Sequence, residues 1–232
     1  MTRSIEDLLA RRSDLSTFLV HLTRSREEIT AKDALISILK SRTIKAISPL
    51  GQAVSRLAQA NQSADSQKCV CLTETPIEHV SLLTGNIDNR NCQFDRYGVA
   101  LTKKQARRLG ANPVWYVDIT PGHNWLTVPL NSLIDKAIAT GAFAGESIAQ
   151  IAPFIEQMGS GPAYRKEFWW EREWRVAGSL SLPKHFMVLC PEGDFPDVEA
   201  VASGLPLIDP AWSLEQIIGH LGKFAASDIG PL

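Results

Sequence analysis

Glu167-Phe168-Trp169-Trp170-Glu171-Arg172-Glu173-Trp174-Arg175-Val176 is dense in aromatic and charged residues, with Glu171, Glu173 and Arg175 at every second position. Read as a strand, it sets Glu171, Glu173 and Arg175 on one face and Trp170, Arg172, Trp174 and Val176 on the other. Two carboxylates two residues apart on a strand sit about 6.5–7 Å from each other at the backbone, close enough to act on one ligand. They also raise each other's cost of ionisation, and Arg175 is placed as the cation that offsets it. A late strand of this kind needs neighbours. The order of elements upstream therefore decides the fold.

Three earlier runs read as strands: Thr17–Thr23, Lys68–Thr73 and Tyr97–Thr102. Further strand-length runs are Thr43–Ile47, Pro113–Ile119 and His185–Cys190. Helical signals are interleaved with them. Ser4 caps a short helix carrying Leu8 and Leu9. Thr30 with Asp33 makes a capping box opening Ala31–Ser41, where Ala34, Leu35, Ile38 and Leu39 line one face. Pro76 suits the first turn of a helix through Leu83. Lys103–Leu109 is a basic helix stopped by Gly110, residues 131–158 carry two helical patterns split around Gly141 and Gly145, and Ser213 with Gln216 caps a last helix to Leu221. Residues 60–67 and 85–93 are polar and loop-like. The expected fold is α+β, a single domain over 1–232 with a mainly antiparallel, split central sheet flanked by helices. Residues 1–16 form an N-terminal helix, 17–190 the core and 191–232 a C-terminal extension.

The 232 residues carry 24 Lys+Arg against 25 Asp+Glu, a net charge of −1, which excludes a bulk nucleic-acid coat or an acidic tail. No apolar run approaches the ~20 residues that span a bilayer, so no membrane is expected. The N-terminus has no long apolar region of the secretory kind, and four unevenly spaced cysteines make no disulfide framework. A reduced, cytoplasmic protein is the expectation.

Polar groups on strands mark the candidate chemistry. His21 and Thr23 share a face of the first strand, an imidazole and a hydroxyl able to grip a ribose or phosphate. Thr73 and Thr75 lie at the end of the Lys68–Thr73 strand beside a helix start, where they serve as plain caps or as ligand groups. Cys69-x-Cys71 with His79 and Cys92 lacks the spacing of a zinc knuckle, so no metal is expected there. Glycine-rich phosphate loops, dinucleotide fingerprints and the serine-hydrolase elbow are missing from the sequence. Mg²⁺ held by Glu171, Glu173 and Asp118 in a nuclease-like site is a further arrangement that needs those carboxylates to converge.

Four blocks, Val70–Pro76, Arg96–Lys103, Arg108–Val117 and Glu171–Val176, resemble the AbiGi-like abortive-infection family of bacteria, associated with phage resistance and labelled as antitoxins. A more distant resemblance joins a His-x-Thr strand, a strand ending in hydroxyls and a late Glu-x-Glu strand, in the order similar to ADP-ribosyltransferases. That likeness implies NAD as substrate, held by His21 and Thr23, with Thr73 and Thr75 supporting the nicotinamide pocket. Glu173 would be the catalytic acid and Glu171 the acid that positions an acceptor, a nucleic acid or a protein. A carboxylate facing the oxocarbenium that builds as nicotinamide leaves would stabilise that transition state. The family label implies a second function: a catalytically inactive protein that neutralises a partner toxin.

Overall fold

A computed structural model describes residues 15–87, 90, 92–162 and 164–231; the helix expected after Ser4 lies outside them. The strands are β1 Phe18–Leu22, β2 Thr43–Ile44, β3 Cys69–Thr73, β4 Gly98–Thr102, β5 Asn112–Pro113, β6 Trp115–Asp118, β7 Ile155–Gly161, β8 Tyr164–Lys166, β9 Glu173–Ala177, β10 Leu180–Ser181, β11 Met187–Leu189 and β12 Leu207–Ile208. The helices are α1 Ala31–Ser41, α2 Val54–Gln59, α3 Lys103–Arg108, α4 Thr127–Ala139, α5 Ser147–Ile151, α6 Phe195–Glu199, α7 Leu214–Leu221 and α8 Ala226–Ile229. The class is α+β. A seven-stranded mixed sheet has the order β12-β11-β4-β1-β3-β9-β5, and a three-stranded sheet the order β6-β7-β8. The β11–β12 pair is parallel, whereas β4 is antiparallel to both β1 and β11.

Contacts divide the chain into two compact units that interleave in sequence. The first takes its described residues from Met1–Thr43, Leu72–Arg108 and Ser181–Leu232; the second is Ile44–Cys71 with Leu109–Leu180. In the first unit, β1 lies against β4 in the register Phe18↔Thr102 to Leu22↔Gly98. Val20 and Ala100 belong to a core with Val80, Met187, Ile208 and Ile217. Just past β1, the buried Thr23 hydroxyl donates to the Ala31 carbonyl at 2.8 Å and the Tyr97 carbonyl at 3.2 Å. The capping box of α1 is present: the Asp33 amide donates to Thr30 Oγ1 at 3.1 Å, and the Thr30 amide to Asp33 Oδ2 at 3.3 Å. The matching box of α7 pairs Ser213 with Gln216.

In the second unit β6 and β7 run parallel, Trp115↔Ile155 to Asp118↔Met158, and β8 returns antiparallel. Val117 and Ile155 pack with Leu57, Ile134, Phe143 and Ala152. Gly51 has φ +97°, and a Cβ there would collide with the Ala152 carbonyl, so only glycine serves this close approach.

Several expectations are corrected. Residues 155–158 are strand, not helix: Ile-Glu-Gln-Met has no local period that separates the two states, and pairing with β6 decides it. Glu171 does not share a strand face with Glu173. It closes a 3₁₀ turn over Phe168–Glu171, Arg172 adopts a left-handed φ of 49°, and β9 begins only at Glu173. The run 113–119 is two strands broken at Val114, whose amide donates to the Glu173 carbonyl at 2.9 Å. The run expected as a strand over 43–47 keeps only Thr43–Ile44 in that state.

Candidate functional site

Strand alternation places Glu173 and Arg175 on one face of β9, and their side chains meet. Arg175 is 2% exposed, the largest fully buried side chain among the described residues. Its Nε donates to Glu173 Oε1 at 2.9 Å and its Nη2 to Glu173 Oε2 at 2.9 Å, a bidentate fork. Nη2 also donates to Glu156 Oε2 at 2.8 Å, and Nη1 to the Pro153 carbonyl at 2.6 Å. Lys166 Nζ stands 3.6 Å from Glu156 Oε1. Burial alone would lower the pKa of the guanidinium, but the charge of Glu173, its hydrogen bond and Glu156 outweigh burial and hold the cation firmly protonated.

Tyr116, on β6, is pushed far up from the ordinary phenol value by burial first and by the Glu173 charge second. Cys69 and Cys71 of β3 hydrogen-bond to each other and feel both Arg175 and Glu173. Chemically the arrangement is a lock. One guanidinium ties β9 to Glu156 of β7 and to the carbonyl of Pro153, and it engages both oxygens of the Glu173 carboxylate.

His21, Thr23, Thr73 and Thr75 belong to the first unit. His21 lies opposite Val99 on β4, while Thr73 lies opposite Val20 on β1. Cross-strand partners share a face and successive residues alternate, so His21 and Thr73 point to opposite faces of the sheet. The Thr73 and Thr75 hydroxyls meet at 2.8 Å, and the Thr75 amide donates to Thr73 Oγ1 at 3.2 Å, a local turn built from hydroxyls. Glu74 between them is 7% exposed and accepts from Lys103 Nζ at 2.6 Å. Thr23 spends its hydroxyl on backbone carbonyls, as described. Asp118 at the end of β6 accepts from the Thr120 amide at 2.8 Å. Among the described residues no group of three or more His, Cys, Asp or Glu could hold a metal ion.

Sequence reading found the Glu173–Arg175 pair and missed Glu156, which no local signal links to Arg175 across 19 residues. It also missed a second charged cluster in the first unit. There Lys32 Nζ reaches Asp194 Oδ1 at 2.7 Å and Asp197 Oδ2 at 2.6 Å, while Tyr97 Oη donates to Asp194 Oδ2 at 2.7 Å.

The comparisons bear on what such a chain does. A family model matches residues 50–188, more than half of the chain, and carries the description "Putative abortive phage resistance protein AbiGi, antitoxin". The chain belongs to the AbiGi family of abortive-infection proteins. No curated protein and no solved structure matches it. No helix among the described residues is long and apolar enough to cross a membrane.

Proposed function

We propose that this chain is the neutralising partner in an abortive-infection system, binding a toxin protein and holding it inactive, without chemistry of its own. The family description supports this reading. The observation that carries it within the molecule is the engagement of Glu173. Both of its oxygens accept from Arg175, so this carboxylate serves as a structural counter-ion. Catalysis would need a remaining lone pair on one of these oxygens to face a ribose hydroxyl. The direct test expresses the toxin with and without the chain. Growth restored only when both are present, with the two proteins co-purifying, is the expected result; toxicity from the chain alone refutes it.

The second reading is NAD cleavage with transfer of ADP-ribose to a nucleic acid or protein, with Glu173 catalytic, Glu171 positioning the acceptor, and His21, Thr23, Thr73 and Thr75 binding NAD. Its support is the strand-by-strand resemblance and the hydroxyl pair Thr73–Thr75. It requires nicotinamide release that disappears in Glu173→Gln, and a rise in melting temperature when NAD is added.

A further inference from the structure

We propose that Cys69 and Cys71 form a two-thiol chelate for a soft monovalent metal ion of the copper(I) class. The two residues stand at positions i and i+2 of β3, which puts both sulfurs on one face of the strand. Neither is in a disulfide, and the two thiols hydrogen-bond to each other. Cys69 is 5% exposed and Cys71 half-buried, so the site has a dry floor and an entry from the Cys71 side.

The ligand class follows from the donors. Thiolates are soft and select soft ions. Structural zinc closes a tetrahedron with four ligands, and no such cluster exists among the described residues. Copper(I) is content with two sulfurs. Alternate residues on a strand are about 6.6 Å apart at Cα, near the outer end of the roughly 4.4–6.8 Å that a disulfide bridges. A metal–thiolate bond of about 2.3 Å on each side spans the gap more easily than a direct S–S bond.

Binding releases the thiol protons to solvent and forms two metal–sulfur bonds, with no electron transferred. The bis-thiolate complex is anionic, and Arg175 is the neighbouring cation, partly offset by Glu173 and Glu156. This inference is independent of the antitoxin reading.

The test titrates the full reduced chain with copper(I) under anaerobic conditions against a chromophoric chelator. One ion retained per chain is expected, and copper X-ray absorption on the wild-type complex should show two sulfur neighbours. Cys71→Ser should weaken retention at least about tenfold, while Cys190→Ser leaves it unchanged. Failure of the wild-type chain to retain copper, a shell of nitrogen or oxygen ligands, or equal retention by a folded Cys71→Ser would each overturn the proposal. The absorption measurement uses the unaltered chain, so it decides the matter even where a variant fails to fold.

Discussion

Each unit of this molecule holds a cation between two carboxylates, and the two clusters are built in opposite ways. Arg175 is 2% exposed, and its planar fork grips Glu173 with two donors while reaching Glu156 with a third bond. The side chain of Lys32 is 29% exposed, and it touches Asp194 and Asp197 as a point charge; the Asp197 side chain is 68% exposed. The contrast teaches that the number of ion pairs says little about their worth. A desolvated pair cannot lose a partner without stranding a charge, whereas water screens and replaces a surface pair.

The sharpest way to break the comparison is Arg175→Met, which leaves Glu173 without its cation and Glu156 with only Lys166. A loss of about 3–5 kcal/mol of unfolding free energy is expected, read from denaturant midpoints. Arg175→Lys keeps the charge and loses the fork, so it should fall short of full rescue. Glu173→Gln should cost less, about 1–3 kcal/mol, because Glu156 and the Pro153 carbonyl still receive the guanidinium. Asp194→Asn should cost on the order of 1 kcal/mol, mainly through the Tyr97 bond.

The Asp194→Asn loss has a pH signature. The hydrogen bond from Lys32, then the one from Tyr97, holds Asp194 below its ordinary 3.8. Its contribution is therefore complete above pH 3.8 and disappears as pH falls through the lower folded value. The gap between wild type and Asp194→Asn should close on acidification in the same way. Asp197→Asn is the smallest case, with no change in midpoint expected at neutral pH; a loss matching that of Arg175→Met would erase the distinction between the clusters.

Local chemistry explains which parts of this fold were legible. Both capping boxes could be read because their partners stand three residues apart, and β1, β3 and β4 because β-branched and apolar residues crowd five positions. The Glu173–Arg175 pair was legible for the same reason, at a separation of two. What decides the rest is not local. Ile155–Gly161 becomes a strand by pairing with β6 some 40 residues earlier, and Glu156 reaches Arg175 only through that pairing. The alternation through Glu171-Arg172-Glu173 imitates a strand, yet the left-handed backbone at Arg172 breaks it and moves Glu171 into a turn. The two units interleave along the chain, with no shift of composition at their borders to mark them.

The proposed role of Glu173 as a counter-ion is tested most directly by assaying nicotinamide release from NAD by the purified wild-type chain, alone and with cell extract. Release no greater than that of a protein-free blank is the predicted result. Sustained release by the wild-type chain, lost in a folded Glu173→Gln, would contradict it.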